Sequence, residues 1–238
     1  MVEESSPKRY RYLAPNGVTA ANISCGFISM IVAADGRFEL AVYLLVVAIV
    51  LDTLDGNIAR WLHATSEFGQ EMDSFSDALS FGAAPAFLVY QAILKESEPF
   101  GLTVCLVYLL CAILRLTRFN VTSDAHEKER RTVGAPVPVA ASYLMVAVLI
   151  RDQVRPAHVA FLVLLVGGLM LSRLPLPNIK GRNLVTFMMM VGIVNYLVVI
   201  FRPNWNTIIW WNVWNLLIIL AAVIEDRRLD QTSTGQRE

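Results

Sequence analysis

Four aspartates, Asp52, Asp55, Asp73 and Asp77, stand in two otherwise apolar stretches, where a lone carboxylate costs on the order of a few kcal/mol. On a helix, Asp52, Asp55 and Ala59 share one face at i, i+3 and i+7, and Gly69, Asp73 and Asp77 share another at i, i+4 and i+8. The polar break His63-Ala64-Thr65-Ser66-Glu67 lets these helices fold back as a hairpin, with Ser66 capping the second, so the acids can converge. Carboxylates that close repel one another. Either some are protonated or a divalent cation lies between them. The cation is preferred, because hard oxygen donors without His or Cys suit Mg2+ or Mn2+. Gly56, Ala59 and Gly69 clear space beside the acids and Arg60 adds a cation, a combination suited to a pyrophosphate. Phosphoryl-type transfer is the leading chemistry. The alternatives are acids paired with basic residues elsewhere in a bundle, or an ion pathway.

The elements that must position these groups are membrane helices. Of the 238 residues 55% are hydrophobic and 17% charged, with mean hydropathy +0.52, against about 25% charged in soluble domains. Apolar runs predict about eight helices, near 17–35, 39–62, 66–94, 99–120, 135–151, 157–173, 184–201 and 207–224. The expected fold is therefore all-α, a polytopic membrane helical bundle. Its organisation is an interfacial N-terminal segment 1–15, an integral membrane domain 16–225 and a polar tail 226–238. Alternating sides leaves Arg37, Lys95, Arg151, Arg155 and Arg202 on one face and the other fifteen Lys and Arg on the opposite one, which puts both termini in the cytoplasm. Trp205, Trp210, Trp211 and Trp214 would form an aromatic belt on the outer side. A zero net charge offers no nucleic-acid surface. Cys25, Cys105 and Cys111 lack metal-ligand spacing and read as buried small residues.

The run Asp52-x2-Asp55-Gly56-x2-Ala59-Arg60-x8-Gly69-x3-Asp73-x3-Asp77 resembles the signature of the CDP-alcohol phosphatidyltransferases at every fixed position. Pro15-Asn16-x2-Thr19 resembles that family's approach to its first span, although helix capping by Asn16 would also explain it. The stretches Asp73 to Ala86, Arg115-Leu116-Thr117-Arg118-Phe119-Asn120 and Gly134 to Ala141 resemble the phosphatidylserine synthase branch, with Val139 departing from an Ala. The resemblance covers roughly residues 13–200.

This resemblance implies a six-helix family core plus C-terminal helices, working as a homodimer in the cell inner membrane with its active site facing the cytoplasm. It implies transfer of a phosphatidyl group from CDP-diacylglycerol to L-serine, with release of CMP. By it, Asp52, Asp55, Asp73 and Asp77 hold a divalent metal, Mg2+ or Mn2+, as two ions. Asp77 also serves as general base. Gly56, Ala59, Arg60, Gly69, Asn16 and Thr19 would line the CDP site. A serine acceptor brings a carboxylate to a carboxylate-rich site, so Arg115 and Arg118, spaced i and i+3, are candidates to hold it; the plainer reading makes them anchors for lipid headgroups. Lys128, Arg130 and Arg131 keep open a phosphorylated acceptor, glycerol phosphate or inositol phosphate. An ion carrier using the four acids is the reading from a different class.

Overall fold

Lipid offers no partner for an open backbone, so an apolar chain of this length folds as helices. The computed structural model describes residues 10–123, 134–172 and 183–234, and no strand occurs among them. In chain order the helices are α1 (Tyr10–Ala34), α2 (Phe38–Trp61), α3 (Glu67–Ser97), α4 (Phe100–Ser123), α5 (Val137–Leu149), α6 (Pro156–Leu171), α7 (Asn183–Phe201) and α8 (Trp205–Thr234). They form two compact units, one within Met1–Thr122 and Ala135–Leu171, the other within Ser123–Gly134 and Ser172–Glu238. Leu13–Ala34, Glu67–Ser97 and Phe100–Val121 are long and apolar enough to cross a bilayer, and Val137–Leu149, Pro156–Leu171 and Val191–Phe201 are shorter apolar helices. Side chains such as Phe27, Ile31, Leu106, Leu110 and Phe161 are exposed, as lipid-facing residues would be. The chain is a membrane helical bundle.

Two boundaries differ from those expected. The first helix starts at Tyr10 and runs through Pro15 instead of beginning after it. Pro15 removes one backbone donor near the N-terminus, where helical hydrogen bonds are fewest. Its carbonyl lies 3.1 Å from the Thr19 hydroxyl. Asn16 therefore lies inside a helix and does not cap one. At the other end α8 continues to Thr234, ten residues past the expected stop, because neither Gly nor Pro intervenes before Gly235. Residues 1–9, the Lys128/Arg130/Arg131 group, the break at Pro175 to Asn178 and the end of the polar tail lie outside the described residues.

In the first unit α1 packs along α2, and α3 lies against α1 and α5. The α1–α2 turn places Gly36 at φ 77°, a left-handed conformation that suits glycine. Small residues let α1 and α3 approach closely, since a Cβ on Gly26 would collide with Ser80. Away from the acids, Leu45, Phe81, Leu88, Tyr108, Leu144 and Met145 fill the core. Arg151 binds Glu39 at 2.8 Å and lies 5.3 Å over the Phe38 ring, joining the end of α5 to the start of α2. In the second unit a Cβ on Gly192 would sit 3.1 Å from Ile218, so α7 and α8 also pack closely. Trp211 is buried and stacks obliquely on Tyr196 at 5.5 Å, so it departs from the expected belt, while Trp205 and Trp210 are exposed.

The third helix is not regular. Immediately after Asp77 it widens into a π-helical turn, Ala78–Ala83, before the α-helical Ala84–Val89. Pro85 has no N–H for the carbonyl of Phe81, four residues earlier. The fully buried Tyr108 on α4 donates its hydroxyl to that carbonyl at 3.0 Å. A proline, a widened turn and a cross-helix tyrosine thus form one device. Tyr108→Phe should leave the Phe81 carbonyl unpaired and cost about 1–3 kcal/mol, read as a lower unfolding temperature in detergent; an unchanged temperature would refute the role given to this bond.

Candidate active site

The acids converge because the α2–α3 hairpin is short and tightly bonded. Leu62 N–H donates to Ile58, His63 to Arg60 and Ala64 to Ala59, all through backbone carbonyls, and His63 turns the chain at φ 48°. Ser66 then caps α3 as expected, its hydroxyl accepting the Gly69 N–H at 3.0 Å. The hairpin brings one carboxylate oxygen each of Asp52, Asp55 and Asp73 within 4.8 Å of one another. Asp77 is not in that trio and lies one turn deeper on α3. Only a shared proton or a cation makes such a gathering of carboxylates tolerable.

Residues around the acids aim them. Thr19 on α1 donates to Asp55 Oδ2 at 2.8 Å. A Cβ added at Gly69 would lie 3.5 Å from Asn16 Oδ1 and 3.2 Å from Ser66 Oγ, so Asn16 and Gly69 meet at the hairpin. Gly56 gives clearance under the Arg60 guanidinium, whose nitrogens would be 3.7 and 3.8 Å from a Cβ there. Arg60 is exposed and donates to Asn57 Oδ1 at 2.9 Å, and Ala59 stands where α2 gives way to the turn. The six residues expected to line the nucleotide site are gathered on α1, α2 and α3 about the acids.

The two candidate arginines part company. Arg115 is buried, and the Tyr108–Phe81 and Asn120–Ser74 bonds that flank it set it at the level of Asp77. Arg118 turns away and donates to the Leu171 and Met170 carbonyls at 3.1 and 3.4 Å, at the C-terminal end of α6. Such a contact suits the negative end of a helix dipole. Asn120 exchanges hydrogen bonds with Ser74 at 3.0 and 3.2 Å, tying α4 to the turn that carries Asp73. The periodicity of α4 could not reveal that tie, because the pairing spans 46 residues. Cys105 and Cys111 are buried, as expected, and Cys25 is half-buried.

These residues fit a hard divalent cation. The donors are carboxylate oxygens, and the 4.8 Å within which they lie is close to the roughly 4.2 Å across an octahedral Mg2+ shell. Asp52, Asp55 and Asp73 would hold the ion, with Thr19 orienting Asp55 from behind.

The family model for CDP-alcohol phosphatidyltransferase matches residues 12–174. The chain belongs to the CDP-alcohol phosphatidyltransferase family. The match ends short of the expected residue 200 and takes in nearly all of α1 to α6, the six-helix core, so α7 and α8 lie beyond it. Over 176 residues, 71% of this chain and 73% of the relative, it is 34% identical to a Helicobacter pylori protein named CDP-diacylglycerol–serine O-phosphatidyltransferase. It is 34% identical over 172 residues, 70% of each chain, to an archaetidylserine synthase of Methanothermobacter thermautotrophicus. A Bacillus subtilis CDP-diacylglycerol–serine O-phosphatidyltransferase is 31% identical over 166 residues, 70% of this chain and 90% of the relative.

Within this phosphatidyltransferase site, Thr19→Val should weaken Mn2+ binding about tenfold by freeing Asp55 to rotate. The free Mn2+ signal in electron paramagnetic resonance measures this, and equal affinity would exclude Thr19 from the site.

Proposed function

We propose that the protein transfers the phosphatidyl group of CDP-diacylglycerol to the hydroxyl of L-serine, giving phosphatidylserine and CMP, in a divalent-metal-dependent reaction with Asp77 as general base. The observation that carries this reading is the convergence of Asp52, Asp55 and Asp73 with Asp77 one turn deeper, in a chain of the CDP-alcohol phosphatidyltransferase family. The serine named in its bacterial and archaeal relatives supports the choice of acceptor.

Binding comes first. The exposed Arg60 meets the anionic pyrophosphate, while Gly56 and Gly69 keep the walls low enough for it to approach. Asp52, Asp55 and Asp73 would hold a divalent cation, which when bound would neutralise charge on the pyrophosphate and on the departing CMP. The serine hydroxyl oxygen forms a bond to the phosphorus that carries the lipid. The bond from that phosphorus to the bridging oxygen breaks, and the electron pair leaves with CMP. Asp77 takes the hydroxyl proton as the new bond forms and returns it to water afterwards. Arg115, at the level of Asp77, can face the serine carboxylate; Arg118, engaged with the end of α6, holds the helix that carries Arg115. The membrane domain works as a homodimer in the inner membrane, with both termini and the site on the cytoplasmic side.

Purified protein should release CMP from CDP-diacylglycerol only when serine and Mg2+ or Mn2+ are both present, and chelation should stop it. Release driven by glycerol phosphate or inositol phosphate in place of serine would keep the family and replace the acceptor. Asp77→Asn should lower turnover by about 100-fold or more while retaining donor binding. Equal activity in that variant would remove Asp77 from the role of base.

A further inference from the structure

Five buried side-chain atoms of the first unit have no hydrogen-bond partner among the described residues: Asn22 Nδ2 and Oδ1, Ser76 Oγ, Asp77 Oδ1 and Arg115 Nε. An unpaired polar atom away from water costs free energy, so a group of them marks a place where something polar binds. The bonds between their helices set all four residues at one level of the first unit. Asn22 lies between Thr19 and Gly26 at i+3 and i+7 on α1; Thr19 binds Asp55, and Gly26 abuts Ser80. The carbonyl of Asn22 accepts the Ser80 hydroxyl at 3.2 Å, which sets it against the turn of α3 that begins with Ser76 and Asp77. On α4, the Tyr108–Phe81 and Asn120–Ser74 bonds bracket Arg115 and set it at the level of Asp77. Asn22 and Ser76 are wholly buried and Arg115 is 9% exposed, so the orphaned atoms face the interior and not lipid.

We infer that Asn22, Ser76 and Arg115 line a polar pocket one turn beyond the metal ligands, which takes the zwitterionic part of an amino-acid acceptor. This rests on the serine reading above. The carboxylate of the acceptor meets Arg115, a buried guanidinium with a donor to spare. The amide of Asn22 presents both an acceptor and donors, which suits an ammonium beside a carboxylate. The unpaired Asp77 oxygen lies next to this pocket, so an amino acid held there brings its hydroxyl to the proposed base. A single arginine and an uncharged amide balance a zwitterion better than a phosphate dianion. The pocket therefore favours serine over glycerol phosphate or inositol phosphate by charge as well as size.

The test compares the full chain with Asn22→Leu and Ser76→Ala in detergent, with CDP-diacylglycerol, Mg2+ and either serine or glycerate, which lacks the amine. Asn22→Leu should raise the KM for serine about 10- to 100-fold. It should leave the KM for CDP-diacylglycerol nearly unchanged and narrow the preference for serine over glycerate. Ser76→Ala removes only a hydroxyl and should raise the serine KM several-fold, so the test holds even if Asn22→Leu fails to fold. If the unaltered protein uses serine and a folded variant keeps both its serine KM and its preference, the pocket is refuted and the serine reading stands. If the unaltered protein releases no CMP in response to serine, the serine reading falls and the pocket with it.

Discussion

Gathering four carboxylates inside a helical membrane bundle is costly, and the surrounding structure can be understood as what makes that gathering tolerable. Their mutual repulsion is not relieved by lipid, and partners must come from protein, a cation or water. A five-residue turn locked by three backbone bonds and a serine cap brings the two acid-bearing helices together. Thr19 on a third helix binds Asp55, and Arg115 on a fourth is buried at the level of Asp77. Every helix that touches the acids supplies either a hydrogen bond, a charge or a small residue that allows close approach.

Below the acids the design changes. The π-helical turn that follows Asp77 alters the register of α3 where it meets Pro85, and Tyr108 satisfies the carbonyl that the proline leaves free. That bond crosses from α4, as does the Ser74–Asn120 pair. Helix α4 thus contacts α3 by two separate polar links on a largely apolar segment. Polar links of this kind hold membrane helices in register where apolar burial gives no preference.

The division between the two arginines follows from the same geometry. Spaced by three residues, Arg115 and Arg118 lie about 60° apart around α4, enough for one to look inward and the other toward the end of α6. Their sequence spacing allowed one shared task. Packing gave them two, because the carbonyls of Met170 and Leu171 lie within reach of only the second.

Much of the site was legible in the chain because carboxylates are rare in apolar runs and their helical spacing is short-range. The i, i+3 and i, i+4 steps among the aspartates, the hairpin with its Ser66 cap and the membrane helices all follow from local pattern. The family followed from the same residues. The alternative of Asn16 as a cap falls because the helix passes through Pro15, whose missing donor costs little so near a helix N-terminus. Asn22 could not be singled out, since nothing local distinguishes a polar residue facing lipid from one buried between helices. The pairings of Thr19 with Asp55, Tyr108 with Phe81 and Ser74 with Asn120 join residues 27 to 46 positions apart. The sequence by itself determined which chemistry the chain can carry, because that rests on residue type and helical period. Which side chains aim that chemistry was decided only by the tertiary structure, because helix rotation and depth are set by packing between segments.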